Sequence, residues 1–240
     1  MKILALDTST NHFSMAIGDG EKILAVRTMK NDRALSSKII PAMDKLFIKS
    51  GIEPRQIDAI AIGTGPGSFT SLRVGIATAK GLAYALKKPV IGVPSLDVVA
   101  MNVKQKISDQ ACIVFDAKRG LVYAAVYQYL DGNLERLSDY LLVEPQKILK
   151  FLKGTVAFAG DGVPLFKEFI KEKKRSKSSR FSPVFLEERE WYPSAKNLSL
   201  IARARYEYKD FDDIGKLVPL YLYPEDCQVQ KKQGKAKGEE

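Results

Sequence analysis

Short apolar runs separated by turn residues open the chain. Residues 3–6 form an apolar run that stops at Asp7-Thr8-Ser9-Thr10-Asn11, a dense turn signal. Residues 13–17 resume the run, Gly18-Asp19-Gly20 turns it, and residues 22–28 add a third segment. The pattern predicts a three-stranded meander. The period then changes. Leu35, Ile39, Ile40, Met43, Leu46 and Phe47 draw one stripe at helical spacing, with Asn31 or Asp32 as cap and a bend at Pro41. Residues 57–62 are strand-like and run into Gly63-Thr64-Gly65-Pro66-Gly67-Ser68. A second helix starts near Phe69 or Thr70 and ends near Leu86. Residues 89–93 give another strand, and Pro94-Ser95 opens a third helix. The predicted order is β-β-β-α-β-α-β-α.

The second half repeats this order more faintly. Residues 111–116 and 121–129 read as strands around the turn Lys118-Arg119-Gly120, and residues 134–143 as a third. Residues 145–153 read as helical. Residues 155–159 form a strand that ends in Gly160-Asp161-Gly162, with a helix from Pro164. An amphipathic helix follows over residues 194–209, carrying Leu198, Ile201, Ala202 and Arg205. One order used twice predicts a duplicated lobe. Residues 1–104 make the N-terminal lobe, completed by the helix at 194–209, and residues 105–193 make a smaller second lobe. The polar, Lys-rich end at 228–240 is expected to fray.

Composition narrows the function. The chain has 240 residues, 45% of them hydrophobic and 28% charged, enough to fold two lobes around real cores. Its net charge of +10 suggests an anionic partner without choosing among nucleic acid, nucleotide and acidic protein. Half of that excess lies between residues 167 and 180, where Lys167, Lys171, Lys173, Lys174, Arg175, Lys177 and Arg180 face only Glu168 and Glu172. No aromatic residue interleaves the later part of this cluster, so a solvated helix end and loop is the plainer account. Cys112 and Cys227 are the two cysteines and His12 the single histidine. A disulfide scaffold, a zinc finger and a two-histidine metalloprotease helix are thereby excluded. A Ser-His-acid triad would have to use His12, and the Gly-x-Ser-x-Gly elbow is missing. The opening apolar run is too short for a signal core, and the longest largely apolar stretch, residues 75–86, is too short to span a bilayer. The expectation is a cytoplasmic protein with no membrane partner.

Three turns bear on phosphate chemistry. Asp7, Ser9 and Thr10 sit at a hairpin tip, where hydroxyls and backbone N–H groups hold a phosphate, or a carboxylate holds a metal's water shell. The plain alternative is a turn satisfied by its own hydroxyls. Gly65, Gly67 and Ser68 precede a helix N-terminus, which presents free N–H groups to an anion. Their spacing matches neither the Walker loop nor the dinucleotide fingerprint. Gly160 and Gly162 flank Asp161 as a second, weaker turn of this kind. The helix from Thr70 to Leu86 is almost free of large side chains, with Gly75, Ala77, Ala79, Gly81, Ala83 and Ala85 along it. Glycine costs about 1 kcal/mol against alanine inside a helix. Two of them therefore imply close packing, against a sheet or against another subunit.

Read together, residues 3–10 (Ile-Leu-Ala-Leu-Asp-Thr-Ser-Thr), the run Gly63-x-Gly65-Pro66-Gly67-Ser68-Phe69-Thr70-x-x-Arg73-x-Gly75-x4-Lys80-Gly81-Leu82-Ala83 and residues 89–96 resemble the TsaB (YeaZ) family. The closing Pro219-Leu220-Tyr221-Leu222 is similar to that family's ending. The resemblance implies an α/β fold of two lobes, actin-like and sugar-kinase-like (ASKHA, ribonuclease H-like lobes), each a mixed sheet with flanking helices. It implies a non-catalytic scaffold or activating subunit of the complex that places a threonylcarbamoyl group on adenosine next to the tRNA anticodon. The implied partners are a TsaD transferase, which carries paired metal-binding histidines and the nucleotide site, and a TsaE ATPase, with homodimers when the transferase is absent. ATP or ADP and metal are expected in those partners and none in this chain. The interface then falls on two N-terminal helices, at Ile39, Ile40, Met43 and Phe47 and at Phe69, Arg73, Ala77, Lys80 and Gly81. Contact with tRNA is expected to be indirect, with a direct contact by Lys171 to Arg180 left open. Leu35, Ser71 and Tyr223 depart from the family's usual histidine, glycine and arginine. The competing reading is an independent ATP-dependent small-molecule phosphotransferase of the same fold, which would need a complete ATP site with phosphate turns in both lobes and a catalytic carboxylate.

Overall fold

The computed structural model describes residues 1–30, 35–173 and 180–223. Asn31 and Asp32, the Lys174, Arg175 and Lys177 part of the basic cluster, and the end at 228–240 lie outside the described residues.

The opening meander forms as β1 (Lys2–Asp7), β2 (His12–Asp19) and β3 (Lys22–Lys30), all antiparallel. Strand β4 (Ala59–Gly65) joins parallel to β1, and β5 (Val90–Pro94) parallel to β4, giving a sheet ordered β3-β2-β1-β4-β5. Alternation decides what each face meets. Leu4, Leu6, Ile60 and Ile62 point to one side, under α1 (Leu35–Ser50) and α2 (Phe69–Leu86). Ile3, Ala5, Ala59 and Ala61 point to the other, against α5 (Ala195–Glu207) through Ala195, Leu198 and Ala202. Both faces are covered, so β1 and β4 read as unbroken apolar runs. Helix α1 runs on through Pro41 without a break.

A second sheet holds β6 (Gln110–Lys118), β7 (Leu121–Leu130), β8 (Asn133–Arg136), β9 (Leu141–Val143), β10 (Gly154–Ala159) and β11 (Phe181–Phe185), in the order β11-β10-β6-β7-β8 with β9 also on β7. Helix α4 (Val163–Lys173) covers one face. The short helix α3 (Ser95–Ala100) covers the other through Leu96, Val99 and Ala100, while its Val98 packs into the first sheet's core. One helix thus belongs to both cores. Its Asp97 accepts hydrogen bonds from the Tyr127 hydroxyl (2.6 Å) and the Tyr140 hydroxyl (2.7 Å) of the second lobe.

Three expectations for the second lobe change. The strand expected over residues 134–143 is two short strands. Between them the backbone leaves the ladder, and the Val126 N–H is met by the Ser138 hydroxyl at 3.0 Å. The helix expected at 145–153 is a 3-10 segment, Pro145–Phe151. Strand β11 was not expected, because Pro183 sits inside it; it lies at the sheet edge, where a missing N–H is tolerated. Among the described residues, no helix is long and apolar enough to cross a membrane.

The two glycines of α2 have opposite reasons to exist. Gly75 faces inward, and a Cβ there would stand 2.3 Å from the Thr8 hydroxyl oxygen. Gly81 is exposed, and a Cβ there would meet nothing within 4 Å. Gly75→Ala should therefore destabilise the chain by about 1–3 kcal/mol through overpacking. Gly81→Ala should stabilise it by about 0.5–1 kcal/mol through helix propensity. Denaturant midpoints at low protein concentration check both signs.

Candidate functional site

The first turn is organised by a carboxylate that points inward. Asp7, the last residue of β1, is fully buried. Its Oδ1 accepts hydrogen bonds from the Ser9 N–H (2.9 Å) and the Ser9 hydroxyl (2.7 Å). Its Oδ2 accepts one from the hydroxyl of Ser95 (2.7 Å), which itself accepts from the Gly65 N–H (3.1 Å). Gly63 leaves the necessary room, since a Cβ there would lie 1.9 Å from Oδ2. Burial raises the Asp7 carboxyl above its ordinary range, and the bonds from Ser9 and Ser95 offset only part of this. Asp7 was one candidate to hold a metal's water shell, and its carboxylate is turned inward. Both oxygens are engaged inside the chain, beneath the cleft floor.

Beside it, the glycine loop lies directly on that turn. A Cβ on Gly67 would stand 2.1 Å from the Ser9 carbonyl oxygen, and the Ser68 N–H donates to the same oxygen at 2.7 Å. Gly65 takes a left-handed φ of 93°. The Thr10 hydroxyl donates to the His12 carbonyl (3.1 Å) and accepts from the His12 N–H (3.2 Å). Ser68 donates through its hydroxyl to that of Ser71 (3.0 Å). These hydroxyls form hydrogen bonds within their own turns.

The lobes meet over a cleft of about 700 Å³. Ser9, Thr10, Gly67 and Ser68 line it from the first lobe, and Asp116, Lys118 and Asp161 from the second. The turn Gly160-Asp161-Gly162 does reach the cleft, but its glycines serve a different contact. A Cβ on Gly160 (φ 110°) would lie 2.0 Å from the Val114 carbonyl oxygen, and the Gly162 N–H donates to that oxygen at 3.0 Å. Asp161 Oδ1 accepts from the Asp116 N–H (3.0 Å), and burial raises this carboxyl. Burial also pushes on Asp116, but the side-chain and backbone bonds from Lys118, the former at 2.5 Å, outweigh it and leave that carboxyl low. The second-lobe wall therefore presents two carboxyl groups against one ammonium, a poor field for a polyphosphate. Among the described residues, no three or more His, Cys, Asp or Glu side chains gather as metal ligands.

The expected interface residues separate into two sets. Ile39, Met43 and Phe47 are buried in the first lobe's own core, which corrects their assignment to a partner surface. An apolar stripe at helical spacing is what holds α1 on its sheet. Ile40 does face outward, 48% exposed. On α2, Ala79 and Ala83 turn inward with Gly75, while Arg73, Ala77 and Gly81 are exposed. Lys80 reaches back, donating to the Leu217 carbonyl (3.1 Å) and the Gly215 carbonyl (3.4 Å). The Arg73 guanidinium lies 3.8 Å over the Phe69 ring, and its Nε donates to the Tyr221 hydroxyl at 3.0 Å.

In the sequence, residues 219–223 stand out only by resemblance, and the path of the segment at 212–223 does not show. This segment runs from β5, where the Gly92 N–H donates to Asp212 (2.8 Å), to Thr64, whose carbonyl accepts from the Leu220 N–H (2.8 Å). It ends on the second lobe, where the Tyr223 hydroxyl donates to the Ala117 carbonyl (2.9 Å). The alternating tyrosines 221 and 223 were the available signal. Leu35 and Ser71 line the cleft, and Tyr223 lines the pocket beside it, so all three departures from the family's pattern gather between the lobes.

Two mixed sheets with flanking helices about one cleft define a two-lobed α/β protein. The family model for TsaD, tRNA N6-adenosine threonylcarbamoyltransferase, matches residues 23–214. The tRNA threonylcarbamoyladenosine biosynthesis protein TsaB of Bacillus subtilis (strain 168) is 29% identical over 225 residues, 92% of this chain and 94% of its own length. TsaB of Buchnera aphidicola subsp. Schizaphis graminum is 30% identical over 206 residues, 82% of this chain and 90% of its own. The solved structure of YeaZ from Pseudomonas aeruginosa superposes with a TM-score of 0.77 at 25% identity, covering 92% of this chain and 99% of that one. The chain belongs to the family that this model describes, and within it to the TsaB (YeaZ) proteins of tRNA threonylcarbamoyladenosine biosynthesis.

The Asp7 geometry carries a pH signature. A carboxyl raised in the folded state is protonated more readily there than in the unfolded chain. Its contribution is therefore most favourable below the ordinary aspartate value of 3.8 and declines as pH rises toward the folded value. Asp7→Asn removes that decline. The unfolding midpoint of Asp7→Asn relative to the natural chain should move in the variant's favour from acid to neutral pH. A difference independent of pH would show that the buried carboxyl does not titrate as described.

Proposed function

We propose that this chain is a non-catalytic scaffold or activating subunit, working in the cytoplasm within the complex that transfers a threonylcarbamoyl group to adenosine next to the tRNA anticodon. Its partners are a TsaD-like transferase and a TsaE-like ATPase, and it pairs with a second copy of itself when the transferase is absent. The partners hold ATP or ADP and the metal, and this chain contributes a surface. The observation that carries this reading is the outer face of α2. Ala77 and Gly81 are exposed, and open space lies over Gly81. Among the described residues nothing asks for a glycine there, at a cost of about 1 kcal/mol in a helix interior. Close approach of a second backbone does. Ile40 on α1 and Ala77, Gly81 and Arg73 on α2 are the exposed members of the surface. The cleft supports the same reading. Its carboxylate at Asp7 is enclosed, its glycines serve chain packing, and its second-lobe wall is acid-rich.

A tagged chain captured from its own lysate should bring down a larger histidine-bearing transferase and a small ATPase. Ala77→Arg places a long cation on the face without touching the core. It should reduce that capture at least tenfold while leaving circular dichroism and the unfolding midpoint unchanged. Capture of the partner at natural strength by this variant would move the interface elsewhere. A natural chain that comes down alone and turns over ATP would instead make it the independent phosphotransferase.

A further inference from the structure

A second pocket, of about 440 Å³, opens beside the cleft where the end of the chain crosses between the lobes. Its walls are aromatic. Phe69 and Tyr221 come from the first lobe and the crossing segment, with ring centroids 5.5 Å apart. Tyr123 and Tyr223 come from the second lobe and the same segment, edge to face at 6.1 Å. Phe69 and Tyr221 remain 39% and 42% exposed although four large rings gather here. A core cluster of this size would be closed, and this one is open to solvent.

Among the described residues, Arg119 is the charged side chain on the pocket's lining. Arg73 stacks on Phe69 at its rim. The turn that carries Arg119 is held in an unusual backbone. Lys118, Arg119 and Gly120 take φ values of 67°, 57° and 76°. Hairpin turns of this form ordinarily take Asn or Gly, because other side chains resist left-handed φ. Here two cations occupy it, one toward the cleft and one toward the pocket.

We propose that this pocket receives an unpaired nucleobase of an RNA strand, stacked among Phe69, Tyr123, Tyr221 and Tyr223, with Arg119 and Arg73 on the flanking phosphates. Stacking on aromatic side chains and arginine planes is how single-stranded RNA is held, and a cationic rim matches its backbone. A protein partner's apolar side chain would use the rings but gains nothing from a rim of cations alone. The site is distinct from the Lys-rich cluster between residues 167 and 180, and it adjoins the cleft, with which it shares Gly67, Phe69, Ala117 and Tyr123.

The test uses the purified full chain and a fluorescently labelled stem–loop RNA, compared with the same sequence closed into a duplex. The loop RNA should bind more tightly than the duplex. Tyr221→Ala and Arg119→Ala should each weaken it roughly 5- to 100-fold, while Tyr221→Phe, which keeps the ring, stays within about twofold. Lys147→Ala, an exposed lysine outside the pocket, should have little effect. Arg119 sits on an exposed turn, so its variant tests the site even if Tyr221→Ala loosens the crossing segment. Equal binding of loop and duplex with both variants unaffected, or no binding at low salt, overturns the proposal. So do variants that keep RNA affinity but lose capture of the transferase, which would give the pocket to a protein partner.

Discussion

The carboxylate of Asp7 is accepted into the interior only because three donors converge on it and one side chain is missing. A buried carboxylate without partners would be strongly destabilising. Ser9 supplies two donors from the first hairpin turn, Ser95 supplies the third from the first residue of α3, and Gly63 leaves the space. The arrangement fastens three separate segments at one point. Through Ser95 it positions α3, which lies in both cores and offers Asp97 to two tyrosines of the second sheet. The relation between the lobes therefore starts from the end of β1.

This has a consequence for chemistry. The competing phosphotransferase reading needs the cleft between the lobes to hold a nucleotide. Here the first lobe's carboxylate holds the chain together, and the glycines of both turns let backbone pass close to backbone. The polar groups that reach the cleft from the second lobe are Asp116, Lys118 and Asp161, mutually engaged. What remains turned outward is a smooth stretch of α2 and an aromatic pocket rimmed by arginines. The proposed reading uses both as surfaces for recognition.

Much of the first lobe was legible in the sequence. Residues 3–6 and 57–62 are short apolar runs bounded by turn residues, and the helical stripe from Leu35 to Phe47 is regular. The same regularity misled the placement of the interface, because Ile39, Met43 and Phe47 differ from exposed Ile40 only by their angle around the helix. In the second lobe, Pro183 masked an edge strand, and Ser138 broke what looked like one strand into two. The cleft was half legible. The turns at Ser9, Gly67 and Gly160 announced themselves by composition. Nothing in the sequence showed that Asp161 would meet Asp116, or that Tyr221 would reach Arg73, since these pairs are 45 and 148 residues apart. The inward turn of Asp7 was equally hidden, because it depends on Ser95, 88 residues away.

The central claim is that the chain serves its reaction as a surface and not as a catalyst. The most direct measurement is a reconstitution with purified transferase, ATPase, threonylcarbamoyl donor and tRNA, run with and without this chain, alongside ATP turnover by the chain alone. Transfer to tRNA is expected to depend on the chain, while the chain by itself turns over no ATP. Full-rate transfer without it, or ATP turnover by the isolated chain, would contradict the account.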